Sequence, residues 1–276
     1  MADTHRVFGW RPDRPDQRDH HYSLTAPPGS LARQCLYLPL KMPRAYDQGE
    51  LGSCTGNGIA ACMHYLGLRN GLEDPMPSRL FIYLEERRRE RTIPSDAGAE
   101  IRDGIKVVAS IGAPPESVWP YDTAKFALTP PPSVYAAAKR RHAIKYSRVQ
   151  RTLTSIKTAI QFGGVPIVFG FSVYESFEGA AIARTGQMTI PNQREAVLGG
   201  HCTDVVGFDD DHINGPGAAN GAALVRNSWG EDWGIHDPAH PEFNGHFWMP
   251  YDVLLNPDIT DDFWIIEEET GAPLQK

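Results

Sequence analysis

The chain has 276 residues, with 27 Lys and Arg against 34 Asp and Glu, a net charge of −7 and a pI near 5.8. A hydrophobic fraction of 41% beside 22% charged residues describes an ordinary soluble globular protein with material for a sizeable core. The acidic balance argues against a nucleic-acid footprint, no apolar run is long enough to span a membrane, and four cysteines (Cys35, Cys54, Cys62, Cys202) are too few for a disulfide scaffold.

In chain order, residues 1–38 read as an arm. Met1 to Tyr22 is polar and lacks an apolar signal-peptide core, so a reducing, cytoplasmic setting is expected, with export by a non-classical route left open. Arg11-Pro12-Asp13-Arg14-Pro15-Asp16 and Ala26-Pro27-Pro28-Gly29 oppose helix formation. Leu36-Tyr37-Leu38-Pro39-Leu40 is apolar enough to anchor the arm as an edge strand. The arm either wraps the surface or covers an active-site cleft.

Residues 39–135 form a mainly helical half. Gln48-Gly-Glu-Leu-Gly-Ser-Cys54 opens a helix that runs to a stop at Asn70-Gly71. A thiol in a first helical turn lies near unpaired N–H groups and the positive dipole end, which lowers its pKa and favours the nucleophilic thiolate. Gln48, six residues upstream, offers an amide donor. Further helices are expected over 78–91 and 101–110, the latter closed by Gly112, then an irregular passage through Trp119-Pro120-Tyr121 and the prolines at 130–132, and a short helix over 133–145. Two basic clusters, Arg87, Arg88, Arg89 and Arg91, then Lys139, Arg140, Arg141 and Lys145, read as solvated helix faces.

Residues 136–276 change character to strands. Val165–Val173 is strand-like, and His201–Phe208 with Ala222–Asn227 reads as a hairpin across the turn-rich loop 209–221. Residues 245–249 and 262–266 add further strands. Helices first and strands later predict an α+β chain in two halves with a cleft between them. A thiolate needs a base and a group to orient that base. Among ten histidines, His201 stands out after Gly199-Gly200 at the start of an apolar strand. Strand pairing brings Asn227 beside it, with Trp229 placed to shield their hydrogen bond.

Gln48-Gly-Glu-Leu-Gly-Ser-Cys54, Gly200-His201 and Asn227-Ser-Trp-Gly-Glu-Asp-Trp-Gly234 resemble, in order, the three signature boxes of papain-like cysteine peptidases. His201 lies 147 residues and Asn227 173 residues beyond Cys54, against about 130–150 in that family. Asp96-Ala-Gly-Ala99 and Glu116–Tyr121 are similar to further family segments, so the likeness covers about residues 40–266. It implies a papain-like α+β fold whose second half is β-barrel-like. It implies Cys54 as nucleophile, His201 as base and then acid, Asn227 as its orienting partner, and Gln48 with the Cys54 N–H as oxyanion hole. Gly98 and Ala99 match the wall that binds extended substrate, and Gly200, Cys202 and Trp229, beside the base, are expected to bind substrate as well. Cys202 falls where the family lines the pocket for the second side chain upstream of the cleaved bond, which implies that an apolar residue is accepted.

Departures are Leu51, where plant and animal members carry a cysteine, Thr55, where they carry an aromatic, a longer loop between His201 and Asn227, and an insertion over 235–244. The first two fit short bacterial members. About 40 residues precede Gln48, short of the family's usual inhibitory pro-segment. A cysteine endopeptidase is the resulting expectation, monomeric, acting on a peptide or protein, without cofactor, metal, nucleic acid or membrane. The alternatives are a papain-fold binding scaffold and a cysteine-dependent ligase or transpeptidase. A zinc site at His236, Asp237 and His240 meets two prolines in a turn-rich loop, and Asp209-Asp210-Asp211 lacks the alternating calcium-loop pattern.

Overall fold

The computed structural model describes residues 7–270. Of the arm expected over 1–38 and the strand-rich half expected over 136–276, residues 1–6 and 271–276 lie outside the described residues. Two short strands, β1 (Trp10–Arg11) and β2 (Gln34–Cys35), precede helix α1 (Cys54–Arg69). α1 is buried on nearly every side from Cys54 to Gly67, as a central helix must be. Gly56 and Gly58 admit its neighbours: a Cβ at Gly56 would meet the Arg79 carbonyl at 2.8 Å, and one at Gly58 the Cys202 sulfur at 3.2 Å. Helix α2 (Arg79–Glu90) begins where the Ser78 hydroxyl accepts the Phe81 N–H at 3.1 Å, and stops at Arg91 in the left-handed region. β3 (Ala99–Glu100) leads into α3 (Ile101–Ser110), and α4 (Pro132–Ala138) opens on a proline.

The second half supplies β4 (Ala143–Arg148), α5 (Leu153–Thr158), β5 (Ile167–Tyr174), α6 (Ala180–Thr185), β6 (Val197–Asp209), β7 (Ala222–Arg226), β8 (His246–Pro250), α7 (Tyr251–Leu254) and β9 (Thr260–Glu269). Its main sheet runs β4-β9-β5-β6-β7-β8 with antiparallel neighbours, and β2 pairs with β6. The fold is α+β, as expected, but the sheet does not close into a barrel. β4 and β8 end it on opposite sides, where single bridges from His21 to Arg148 and from Gln187 to Trp248 cover the edges. α1 packs on β5, β6 and β9, and so joins the halves.

Three local expectations change. The helix expected over 133–145 ends at Ala138, because Ala143–Arg148 pairs with β9 and a turn at Lys139–Arg141 brings the Arg141 carbonyl onto the Ala113 N–H at 3.0 Å. The arm is anchored by Leu38 at the start of a turn, with β2 lying upstream at 34–35. The basic clusters are not wholly solvated. Arg87 is buried, donates to the carbonyls of Ile93 and Ser95 at 2.8 and 3.1 Å, and lies over the Tyr83 ring. Arg141 is buried against Glu269 at 2.9 Å and also donates to the Met63 and Pro75 carbonyls. Among the described residues no helix is long and apolar enough to cross a membrane.

Arg141 ties the last strand to α1. Its loss strands the fully buried Glu269 carboxylate, so Arg141→Ala is expected to cost about 3–5 kcal/mol in urea unfolding. Replacing both partners together by Met and Leu should recover most of that loss.

Candidate active site

Cys54 is the first residue of α1 and is fully buried. The residue before it, Ser53, makes no side-chain cap; its hydroxyl bonds the Tyr121 hydroxyl at 2.5 Å, and its carbonyl accepts from the Asn57 amide at 2.9 Å. Backbone N–H groups of Cys202, Gly9 and Thr55 point at the sulfur and favour its thiolate. Burial outweighs them and pushes the thiol up to about 12, the reverse of the lowering that the helix terminus alone predicts.

His201 and Asn227 come from facing strands. The β6–β7 register pairs Asp204 with Arg226, which carries Asn227 and Trp229 to the level of His201. His201 Nε2 and Asn227 Oδ1 lie 2.8 Å apart, and the same oxygen accepts the Ser228 N–H at 2.8 Å. An atom that accepts from Ser228 is an oxygen, so Nε2 must be the donor and the neutral ring keeps its lone pair on Nδ1. The Trp229 ring stacks on the imidazole at 4.8 Å, and Phe171 meets it edge-on at 5.7 Å. The hydrogen bond is therefore dry and the ring cannot turn freely.

Gln48 is held from both ends. Its Oε1 accepts the Ser228 hydroxyl at 2.6 Å, its N–H donates to the Ser228 carbonyl at 2.9 Å, and Nε2 donates to the Leu51 carbonyl at 2.9 Å. One Nε2 hydrogen is left for another acceptor. Behind this loop, the Tyr121 hydroxyl donates to the Gln48 carbonyl at 2.9 Å, and the Arg79 guanidinium lies over the Tyr121 and Tyr46 rings while paired with Glu116 at 2.8 Å. Ser228, Arg79 and Tyr121 were not singled out by sequence reasoning. Ser228 sits inside a recognised motif, but nothing local tells that its hydroxyl fixes a residue 180 positions away.

The open side of the sulfur is taken by the arm. β1 pairs with β3 in parallel, and the Ala99 N–H donates to the Gly9 carbonyl at 2.7 Å. Gly98, at φ +68°, lets the chains meet, since a Cβ there would sit 2.1 Å from the Gly9 carbonyl oxygen. Gly9 is equally constrained: its Cβ would lie 1.7 Å from the Gly52 carbonyl oxygen. Phe8 covers Gly199 and stands 6.4 Å from the rings of both His201 and Trp229. Trp10 covers Gly170 and Gly200. Cys202, the direct partner of Gly170, shares that face, with its sulfur beside Gly58.

Farther along the arm, Asp13 accepts the Arg102 N–H and the Trp264 Nε1–H, each at 2.9 Å, and Asp19 grips the Arg102 guanidinium at 3.0 and 3.1 Å. Burial, with Asp262 alongside, pushes Asp13 up to about 7. Among the described residues no three His, Cys, Asp or Glu side chains gather as metal ligands. His240 and Asp237 form a pair at 3.2 Å on an exposed loop.

The thiol's state is directly measurable. With Gly9 in place, the rate of Cys54 alkylation by iodoacetamide should keep rising about tenfold per pH unit through pH 10. Displacing the arm should make it level off well below that. A wild-type plateau below pH 8 contradicts the covered, neutral thiol.

No family model matches the sequence. An uncharacterised peptidase C1-like protein of Acanthamoeba polyphaga mimivirus is 36% identical over 291 residues, covering 96% of this chain and 88% of its own. The crystal structure of xylellain, a cysteine protease from Xylella fastidiosa, matches with a TM-score of 0.81 at 34% identity, over 94% of this chain and 95% of that one. Bromelain from Ananas comosus, solved with the inhibitor E64, has a TM-score of 0.60 at 16% identity over 85% of this chain and 98% of its own, a likeness of fold alone. Identity at that level along nearly the full length of the first two settles the kinship: the chain belongs to the papain-like cysteine peptidases.

Proposed function

We propose that the protein is a cysteine endopeptidase that cuts peptide bonds through an acyl-enzyme on Cys54. The proton of Cys54 passes to Nδ1 of His201, whose Nε2–H is already committed to Asn227. The thiolate adds to a peptide carbonyl. Charge developing on that oxygen meets the free Nε2 hydrogen of Gln48 and the Cys54 N–H, which as the first of α1 has no acceptor within its helix. His201 returns its proton to the leaving amine, then takes one from the water that hydrolyses the thioester.

The observation that carries this reading is the crossed lock at Ser228. Its N–H fixes the Asn227 oxygen, and its hydroxyl fixes the Gln48 oxygen. One residue thus aims both the base and the oxyanion donor, which a binding scaffold has no need to do. A ligase or transpeptidase would differ only in the nucleophile that meets the acyl-enzyme. With the arm displaced, an epoxide or vinyl-sulfone probe should label the protein under reducing conditions and fail on Cys54→Ala. Gln48→Ala should lower kcat by about 10²–10³-fold. An unlabelled wild type with its arm displaced sinks the enzyme reading.

We further infer that residues 7–11 hold the enzyme latent. What faces the sulfur is the Gly9 N–H, a donor, while the Gly9 carbonyl turns away to Ala99. The arm therefore occupies the cleft without presenting an electrophilic carbon and escapes cleavage. Gly9→Ala places a methyl against the Gly52 backbone, which cannot yield. Turnover of a small fluorogenic peptide should rise at least about tenfold in this variant, the effect of lifting roughly 1.4 kcal/mol of docking. Equal turnover in the two proteins contradicts latency.

A further inference from the structure

The two donors that meet a developing oxyanion hang from different pieces of chain. The Gln48 amide belongs to the loop before α1, and the Cys54 N–H belongs to the peptide unit that joins Ser53 to the helix. Their separation is set by whatever holds each backbone. Arg79, the first residue of α2, holds both. Its Nη1 carries two hydrogens. One goes to the Asp47 carbonyl at 3.2 Å, the oxygen of the peptide unit that carries the Gln48 N–H. The other goes to Asn57 Oδ1, also at 3.2 Å. Asn57 Nδ2 in turn donates to the Ser53 carbonyl at 2.9 Å, the oxygen of the peptide unit that carries the Cys54 N–H. A peptide unit is planar, so a hold on its carbonyl fixes the direction of its N–H.

A second path closes on the same place. Asn57 Nδ2 also donates to the Ser53 hydroxyl at 3.0 Å, and the Tyr121 hydroxyl, bonded to that of Ser53, gives its own hydrogen to the Gln48 carbonyl. The Arg79 guanidinium lies 4.1 Å from the centre of the Tyr121 ring. The Gln48 backbone is thus gripped by Arg79 at the carbonyl before it, by Ser228 at its N–H and by Tyr121 at its own carbonyl. Arg79 is itself anchored by Glu116, whose Oε1 takes the Nε and Nη2 hydrogens at 3.2 and 2.8 Å and whose Oε2 takes the Arg79 backbone N–H at 3.0 Å. The guanidinium is planar and rigid, so acceptors on two of its sides lock its plane. A lysine ammonium would follow the Glu116 carboxylate, the one charged acceptor, and leave the Asp47 and Asn57 oxygens without this donor.

Resting on the peptidase reading above, we propose that Arg79 is a positioning residue for the oxyanion hole, fixing the Gln48 amide and the Cys54 N–H relative to each other through Asp47 and Asn57. Arg79 bonds neither donor directly. Its contribution is confined to steps in which an oxygen takes on negative charge between the two donors. Chemistry at the sulfur that creates no oxyanion does not draw on it.

The test is made in the Gly9→Ala background. Arg79→Lys keeps the charge and removes the fork, so any loss reports aim and not field. With a fluorogenic peptide its kcat should fall about 10–100-fold, while KM stays within about twofold. Alkylation of Cys54 by iodoacetamide, a displacement at saturated carbon, should keep its rate. In a Gln48→Ala background Arg79→Lys should cost no more than about threefold. Tyr121→Phe, which removes one hydroxyl and no charge, should lower kcat with KM and alkylation again unmoved. A peptide aldehyde gives a readout without hydrolysis: the Cys54 sulfur bonds to the carbonyl carbon, the C=O π bond opens, and the thiol proton ends on the oxygen. Arg79→Lys should weaken aldehyde binding about tenfold and leave that of the matching alcohol unchanged. An unchanged kcat, an alkylation rate that falls with kcat, a full effect persisting in Gln48→Ala, or equal aldehyde affinity in the two proteins overturns the inference. Absence of Cys54-dependent cleavage beside a tenfold aldehyde loss counts against the peptidase reading and supports the role of Arg79.

Discussion

Helix α1 is wedged between two walls that leave little room for a side chain at Gly56 and Gly58. Residues two apart on a helix point in nearly opposite directions, so Gly56 and Gly58 face different partners. Gly56 meets the Arg79 carbonyl and Tyr83 of α2, and Gly58 meets Val168, Cys202 and Asp204 of the sheet. A methyl on either side would press the helix off its axis, since packed interiors yield little. The helix start carries the sulfur, and β6 carries the imidazole. Their separation is therefore set by two absent side chains before any polar contact acts. The hydrogen bonds of Ser228, Asn227 and Gln48 refine a distance that packing has already chosen.

Two opposing effects act on the thiol, and their sizes decide between them. A helix terminus favours a nearby anion by about 0.3–1 kcal/mol, or up to ~2 where partly buried. The rise of Cys54 to about 12 corresponds to a penalty on the order of 4 kcal/mol for making the anion. Desolvation wins while Gly9 lies against the sulfur. The dipole and the N–H groups of Cys202 and Thr55 would become decisive only once water or substrate replaced the arm. The same geometry thus serves a quiet thiol and a reactive one, and the difference is what covers it.

Much of this was legible in the sequence, for a physical reason. The helix with Cys54 at its start, and the strands bearing His201 and Asn227, are specified by local period and by small residues at chain turns, so both appear in short windows. What stayed hidden depends on contacts between distant segments. Arg87 and Arg141 sit in basic clusters that look solvated, and only the folded chain shows the carbonyls that surround them. The strand Ala143–Arg148 reads as a helix tail until β9, more than a hundred residues later, offers a partner. Trp10 and Asp262 are 252 positions apart, and no spacing rule joins them. The open sheet follows the same pattern, because what caps its edges is a loop and a piece of the arm.

The arm is not uniform in what it would cost to move. From Val7 to Arg11 it lies on glycines and one short parallel pairing, with Trp10 bonded to Asp262 and the half-exposed Arg11 paired with Glu90, whereas Asp19 and Asp13 are built into the start of α3, where Arg102 is buried with a carboxylate for its charge. Pulling that second portion away would leave a guanidinium enclosed and uncompensated, at several kcal/mol. Peeling back the first portion leaves every charge of α3 matched and takes from Glu90 its Arg11 partner, while the Glu100 N–H stays on that carboxylate. Opening therefore favours a pivot near Pro12, with the downstream part staying as a permanent tenon in the body. An arm held in this way would open by bending, with the stretch beyond Pro12 staying docked.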